Sequence, residues 1–377
     1  MAAPKKKKVK KVLKKKRTSK KVPRKPRSKI SIKKRVVSKK PHQLQRFVAN
    51  PIISPAHHSH WQSKATFNPT AIFGDGQVHI IYRAIGAGDV SVFGYAVSKD
   101  GFTIEKRGTK PAYIQRNYHF ERIDKENTPK INYSSGGGWN GGVEDPRLTL
   151  IDDRVYMLYT SFNGWNAIRI ALTSISFKDF VNERWNWSPH VFISPPGEIH
   201  KNWVLFPEKI NGKYAILHGI SPHIQIEYVK DLKEFDGTKF IHSIPPSGKG
   251  HSKSWDTWLR GVGPAPIKTK YGWLVLYHAM DIKDPNRYKL GAMILDLNNP
   301  KKVVAISKQP ILEPDEVYEN EGFKAGVVYA CGAVVVDGWL FVYYGGADTV
   351  VCVATIKFDS LIKDIVSNKP IKLRTKK

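Results

Sequence analysis

Tyr271-Gly272-Trp273-Leu274-Val275-Leu276-Tyr277-His278 is a turn followed by an apolar run that closes on an aromatic residue and a histidine. Four other stretches repeat the phrase: Asp75-Gly76-Gln77-Val78-His79-Ile80-Ile81-Tyr82-Arg83, Asp152-Asp153-Arg154-Val155-Tyr156-Met157-Leu158-Tyr159, Asn211-Gly212-Lys213-Tyr214-Ala215-Ile216-Leu217-His218 and Asp337-Gly338-Trp339-Leu340-Phe341-Val342-Tyr343-Tyr344. Their turns are 77, 59, 60 and 66 residues apart. After each comes a second apolar strand, such as Phe93-Gly94-Tyr95-Ala96-Val97-Ser98 or Val350-Val351-Cys352-Val353-Ala354. From residue 41 onward the chain is dense in Val, Ile, Tyr, Trp and Thr, with frequent turn signals and little helical periodicity. The stretch from Phe358 to Val366 reads as either a short helix or a final strand. Strand repeats of this length with no helices between them indicate radial blades. Five copies predict an all-β, five-bladed β-propeller over residues 45–377.

Charge divides the chain. Of 62 Lys and Arg residues, 21 lie in positions 1–40, where there is no Asp or Glu. The remainder holds 41 basic and 32 acidic residues, so most of the +30 net charge belongs to the tail. Self-repulsion and a lack of apolar residues predict that residues 1–44 form a disordered basic tail. Such a tail contacts polyanions or nucleic acid without specificity. Pro4 through Lys10 also suits a nuclear-localisation patch in a eukaryotic host. The expected location is intracellular rather than secreted, since no apolar segment follows the basic start and no run is long enough to span a membrane. Cys331 and Cys352, the only cysteines, read as core residues, and no metal site is expected.

A propeller brings equivalent repeat positions together around a central channel. Before the first turn stands Phe67-Asn68-Pro69, and before the second Gly141-Gly142-Val143-Glu144-Asp145-Pro146-Arg147. Phe206-Pro207-Glu208-Lys209 precedes the third and Arg260-Gly261-Val262-Gly263-Pro264 the fourth. The ends of the apolar runs supply Arg83, Tyr159, His218, His278 and Tyr344, with Asp348 just beyond. Asp145 lies between a glycine pair and a strand entrance, which suits a catalytic carboxylate. Trp139, Trp165, Trp203, Tyr288 and Tyr318 are candidates for stacking on sugar faces.

These motifs, from Phe67-Asn68-Pro69 through Tyr343-Tyr344-Gly345-Gly346-Ala347-Asp348, resemble glycoside hydrolase family 130, which comprises β-mannoside phosphorylases and some β-mannosidases. The resemblance covers roughly residues 45–360 in unbroken order. It implies an inverting enzyme in which Asp145 is the proton donor and inorganic phosphate, the co-substrate, attacks the anomeric carbon to release α-mannose 1-phosphate. Phosphate replaces the second carboxylate that an inverting hydrolase needs to activate water. Asn68, Arg83, Glu144, Arg147, Lys209 and Asp348 are then expected to bind the mannoside, and Arg169, Arg260, His278 and Tyr288 the phosphate. No other cofactor is implied.

Two departures stand out. The family's phosphorylases typically carry arginine after the third-copy histidine, where this chain has Gly219. They usually have lysine where it has Arg260. Hydrolase members use a glutamate base, for which Glu227 and Glu319 are candidates. A non-catalytic glycan-binding propeller is a further alternative, favoured by Gly219.

Overall fold

The computed structural model describes residues 36–37, 43–115, 141–162, 168–245, 250 and 254–367. Most of the expected disordered tail, along with Trp139, Trp165 and the Gly136-Gly137-Gly138 run, lies outside them. The described chain is mostly β, in four sheets, the largest of which joins two antiparallel meanders through a parallel bridge between Ser91 and Gly142, so that five meanders follow one another along the chain. Their three main strands are Ala65–Gly74, Gln77–Ile85 and Ser91–Ser98 in meander one. Meander two holds Gly142–Ile151, Arg154–Phe162 and Ile168–Ser176. Meander three is short, with Val204–Leu205, Tyr214–Gly219 and Gln225–Val229. Meander four contains Trp258–Val262, Gly272–Asp281 and Asp284–Leu295, and meander five Val328–Val336, Trp339–Gly346 and Val350–Lys357.

The turns between first and second strands explain the repeated phrase. Gly74 pairs with Gln77 and Val336 with Trp339, leaving two-residue loops at Asp75-Gly76 and Asp337-Gly338. All four loop residues have positive φ, between 47° and 78°. Such turns match the right-handed twist of the flanking strands, and Asp-Gly adopts them at little cost.

The apolar runs are continuous because the second strands are buried on both faces. Trp273, Val275 and Tyr277 point into a core shared with meander three, while Leu274 and Leu276 point into one shared with meander five. Leu340 and Val342 likewise face meander four, with Phe341 and Tyr343 facing meander one. Period-two alternation thus feeds two cores at once. Meander one packs on two through Ile81 and Met157, and two on three through Leu158 and Ile216. Each meander therefore shares a core with the next, and the fifth shares one with the first.

Gln45–Phe47 pairs antiparallel with Val350–Lys357, so the fifth sheet draws on both ends of the chain. Val36–Val37 pairs in turn with Gln45–Phe47, and Leu44 is buried, so ordered structure starts inside the segment expected to be tail. Arg46 reaches the buried Glu319 with both Nε and a terminal nitrogen, each at 2.8 Å. Phe358–Ser367 resolves the ambiguity at the C-terminal side: it is a helix that buries Leu361, Ile362 and Ile365. Among the described residues no helix is long and apolar enough to cross a membrane.

Candidate active site

Asp145 lies within a strand rather than at its entrance. Glu144 pairs with Thr160 and Arg147 with Leu158, so Asp145 and Pro146 together oppose one residue. In meander one Asn68 and Pro69 do the same between Phe67 and Thr70. A bulge leaves an extra residue unpaired and re-aims its side chain, and it tolerates a proline that cannot donate to the ladder. Both bulge residues hold left-handed φ, 45° at Asn68 and 51° at Asp145, a region open to Asn and Asp more than to most residues. Arg260 and Cys331 occupy single-residue bulges in the first strands of meanders four and five.

The bulges at Asn68, Asp145 and Arg260 border a small polar cavity of about 90 Å³ to which all five repeats contribute. Meander one supplies Asn68 and Arg83, and meander two Glu144 and Asp145. Lys201 and Asn202 enter just ahead of meander three, Arg260 and Tyr288 from meander four, and Lys324, Tyr329 and Asp348 from meander five. Arg83 donates to Glu144 Oε1 at 2.8 Å and stands 3.8 Å from Asp145 Oδ1. The other Glu144 oxygen is 3.1 Å from Lys201 Nζ.

The two aspartates of the cavity are shifted in opposite directions. Burial pushes the Asp145 carboxyl up, but Arg83, Arg147 and Lys201 together with the Asn68 hydrogen bond outweigh it and hold it below the usual range. Asp348 is pushed up to about 6 by burial, against the pull of Lys324 and with the help of neighbouring Asp145. Tyr288 is flanked by two cations, with the Arg260 guanidinium 5.4 Å and Lys324 Nζ 4.4 Å from its ring centre. Arg260 also lies 4.8 Å from the Trp258 ring, and its buried Nε–H has no hydrogen-bond acceptor among the described residues.

Other expected site residues do not line this cavity. Arg147 is buried and donates to the carbonyls of Val262 and Gly263, to Asn202 Oδ1 at 3.0 Å and to the Tyr329 hydroxyl at 3.3 Å. It ties meander two to meander four behind the pocket wall. His278 is fully buried and stacks on Tyr329 with ring centres 4.1 Å apart, while its Nε2 accepts from the Ala330 amide. Burial, then Arg147, lowers its pKa to about 3, so it stays neutral and supports Tyr329 instead of presenting a charge. Arg169 donates twice to the Ser194 carbonyl and lies against Phe192 and Phe240, away from the cavity. Lys209 is exposed with its ammonium over the Tyr214 ring.

Several further candidates also lie away from the cavity. Tyr159 and Tyr344 are buried and hydrogen-bonded to Gln115 and Glu319. Trp203 is a core residue and Tyr318 contacts Asn50. Glu319 is saturated by Arg46, Tyr344 and the Asp315 and Glu316 amides, and neither it nor Glu227 lines the cavity. Cys331 and Cys352 are buried free thiols. Among the described residues no cluster of three or more His, Cys, Asp or Glu side chains has the arrangement of a metal site.

Sequence reading missed Lys201, Asn202, Lys324 and Tyr329. Proline was the misleading signal: Pro69 and Pro146 follow pocket residues, whereas Pro207 follows the short first strand of meander three. The pocket residues of that repeat stand upstream of Val204, not downstream. Lys324 sits in an irregular loop with no repeat counterpart.

A β-rich scaffold that gathers carboxylates and cationic side chains into one polar cavity fits a carbohydrate-active enzyme that also handles an anion. The chain belongs to glycoside hydrolase family 130, whose model, described as β-1,4-mannooligosaccharide phosphorylase, matches residues 24–367. That match starts inside the basic segment, ahead of the expected onset near residue 45. A 1,2-β-oligomannan phosphorylase of Thermoanaerobacter sp. (strain X514) is 37% identical over 324 residues, spanning 86% of this chain and 99% of the relative. A β-1,2-mannobiose phosphorylase of the same organism is 37% identical over 84% of this chain and 97% of its own length. The Listeria innocua β-1,2-mannobiose phosphorylase, solved with β-1,2-mannobiose, superposes with a TM-score of 0.65 at 26% identity, covering 86% of this chain and 99% of that one. The polyanion contact expected of residues 1–40 finds no support in these comparisons.

Proposed function

We propose that this protein is an inverting β-mannoside phosphorylase acting on β-1,2-linked manno-oligosaccharides. The mannosyl unit occupies the cavity against Asn68, Arg83 and Asp348. Inorganic phosphate binds on the side of Arg260, Lys201, Lys324 and Tyr288. A phosphate oxygen attacks the anomeric carbon as the glycosidic bond breaks, and the departing sugar oxygen takes up the proton held by Asp145. The observation that carries this reading is the buried, acceptorless Arg260 Nε–H set between Trp258 and Tyr288 in the same cavity as Asp145. A buried donor without an acceptor costs free energy that an oxyanion repays.

The lowered Asp145 pKa fits a cycle in which phosphate binds before proton transfer. An arriving phosphate dianion offsets the field of Lys201 and Arg83, which raises the Asp145 pKa when an acid is needed. For the fold, five shared cores, with the fifth meander returning to the first, support a five-bladed propeller in which residues from about 45 onward form one catalytic domain. The test is incubation with β-1,2-mannobiose with and without phosphate. Mannose 1-phosphate formed only when phosphate is present is the expected result; free mannose at an unchanged rate without phosphate overturns the reading.

A further inference from the structure

Beside the catalytic cavity lies a second, larger one of about 450 Å³, open to solvent between meanders three and four. The two share Lys201, Asn202 and Arg260, so the second cavity opens onto the cationic side of the site. Gly219 forms part of its wall. A Cβ at that position would stand 2.5 Å from Gln225 Nε2 and 3.0 Å from its Cδ. Gln225 cannot easily yield, because its amide donates to the Ile244 carbonyl at 3.0 Å and accepts from the Ile244 amide at 2.8 Å. His218 Nδ1 and the Ser243 hydroxyl, 2.6 Å apart, pin the same segment. The absence of a side chain at 219 is therefore built into the wall, and the space beyond Arg260 stays open.

The lining suits an organic group more than a free ion. Ile220, Ile244 and Trp258 give it apolar surface, with Ser221 and Ser243 as hydrogen-bonding edges. At its mouth Ile199 and Ile244 are 59% and 51% exposed, a conspicuous apolar rim next to a cationic pocket. A ligand that matches both parts carries a dianionic head for Arg260 and Lys201 and a partly apolar body for the cavity.

We infer that the nucleophile side of this active site admits phosphate monoesters as well as inorganic phosphate, the ester's organic group lying in the second cavity. The inference rests on the phosphorylase reading above. An unesterified oxygen of the monoester bonds to the anomeric carbon and the glycosidic carbon–oxygen bond breaks. Its electron pair leaves with the departing sugar oxygen, which takes the Asp145 proton. The product is a mannosyl phosphodiester, and nothing is oxidised or reduced.

The experiment uses the full chain, β-1,2-mannobiose, and either inorganic phosphate or phosphate-free phenyl phosphate, with products followed by phosphorus NMR. Phenyl phosphate is expected to support cleavage within about tenfold of the inorganic phosphate rate and to yield the phosphodiester. Ile244→Trp, a change at the exposed rim, should cut phenyl phosphate turnover at least about tenfold while leaving inorganic phosphate kinetics within about twofold. Active cleavage with inorganic phosphate but neither turnover nor competitive inhibition by phenyl phosphate overturns this inference and leaves the phosphorylase reading standing. Equal losses for both nucleophiles in Ile244→Trp also overturn it. Failure of inorganic phosphate itself sinks the underlying reading and the inference with it.

Discussion

Asn68 Nδ2 donates to Asp145 Oδ1 at 2.8 Å, joining two β-bulges that lie 77 positions apart in the chain. Each residue is the left-handed member of its bulge, so the backbone of one meander sets the carboxylate of another. If Asp145 is the acid, Asp145→Asn keeps the bulge conformation and removes the proton. Turnover of β-1,2-mannobiose should fall by on the order of 10²–10⁴ with an unchanged circular dichroism spectrum. Near-normal turnover in that variant would reassign the acid.

Arg260 is the cation whose loss should register in the phosphate kinetics. Arg260→Ala removes a charge-assisted donor worth about 1.5–3 kcal/mol, so the phosphate KM should rise roughly ten- to a hundredfold. The mannoside KM should move far less. Equal rises in the two constants would place Arg260 on the sugar instead.

Asp348 links the site to stability. Its carboxyl titrates at about 6 in the folded protein and at its ordinary 3.8 when unfolded, so the native state holds the proton more tightly. Stability from this group is therefore lost as pH rises from about 4 to 6, by at most about 3 kcal/mol, and the loss persists above that. Asp348→Asn should thus melt higher than the wild type at pH 7.5 and match it near pH 4, while binding mannoside less well. A lower melting temperature at pH 7.5 would contradict the burial argument.

Arg147 predicts the reverse pattern, a structural defect at a residue that looks catalytic. Arg147→Ala strands the Val262 and Gly263 carbonyls and should cost about 3 kcal/mol or more, seen as a lower urea midpoint. Arg147→Lys restores one donor and should recover part of that stability. A fully stable Arg147→Ala with lost sugar binding would return the residue to the ligand.

Arg46 and Glu319 form a buried pair, and removing one partner leaves the other charge uncompensated. Arg46→Ala should cost about 3–5 kcal/mol, whereas deleting residues 2–30 should leave the melting temperature within a few degrees. Equal losses in the two variants would mean that the early basic residues also hold the fold.

The sequence disclosed much of this arrangement, and the physical reasons are uneven. Asn68-Pro69 and Asp145-Pro146 were legible because a polar residue and a proline inside an apolar strand need a bulge. The five apolar runs were legible because both their faces are buried. Arg147, His278 and Arg169 stand outside the cavity although a charged or titratable side chain near a motif looks chemical: each satisfies buried carbonyls or stacks on a ring. Lys201 and Lys324 carry no periodic signal, since loops bring them in. The strand Gln45–Phe47 was invisible as a partner of Val350–Lys357 because no local pattern encodes pairing across 300 residues.

That last pairing sets the order in which the enzyme comes into being. The strand at Gln45–Phe47 is made early and one of its edges pairs with Val36–Val37, yet the other has no partner until the chain has reached about residue 355. Contacts at such separation are slow to form, because loop closure comes first and the reward afterwards. The last catalytic-cavity residue to be synthesised, Asp348, belongs to the same sheet. A chain cut short before residue 348 would therefore lack both the Asp348 side chain of the cavity and the strand that pairs with Gln45–Phe47.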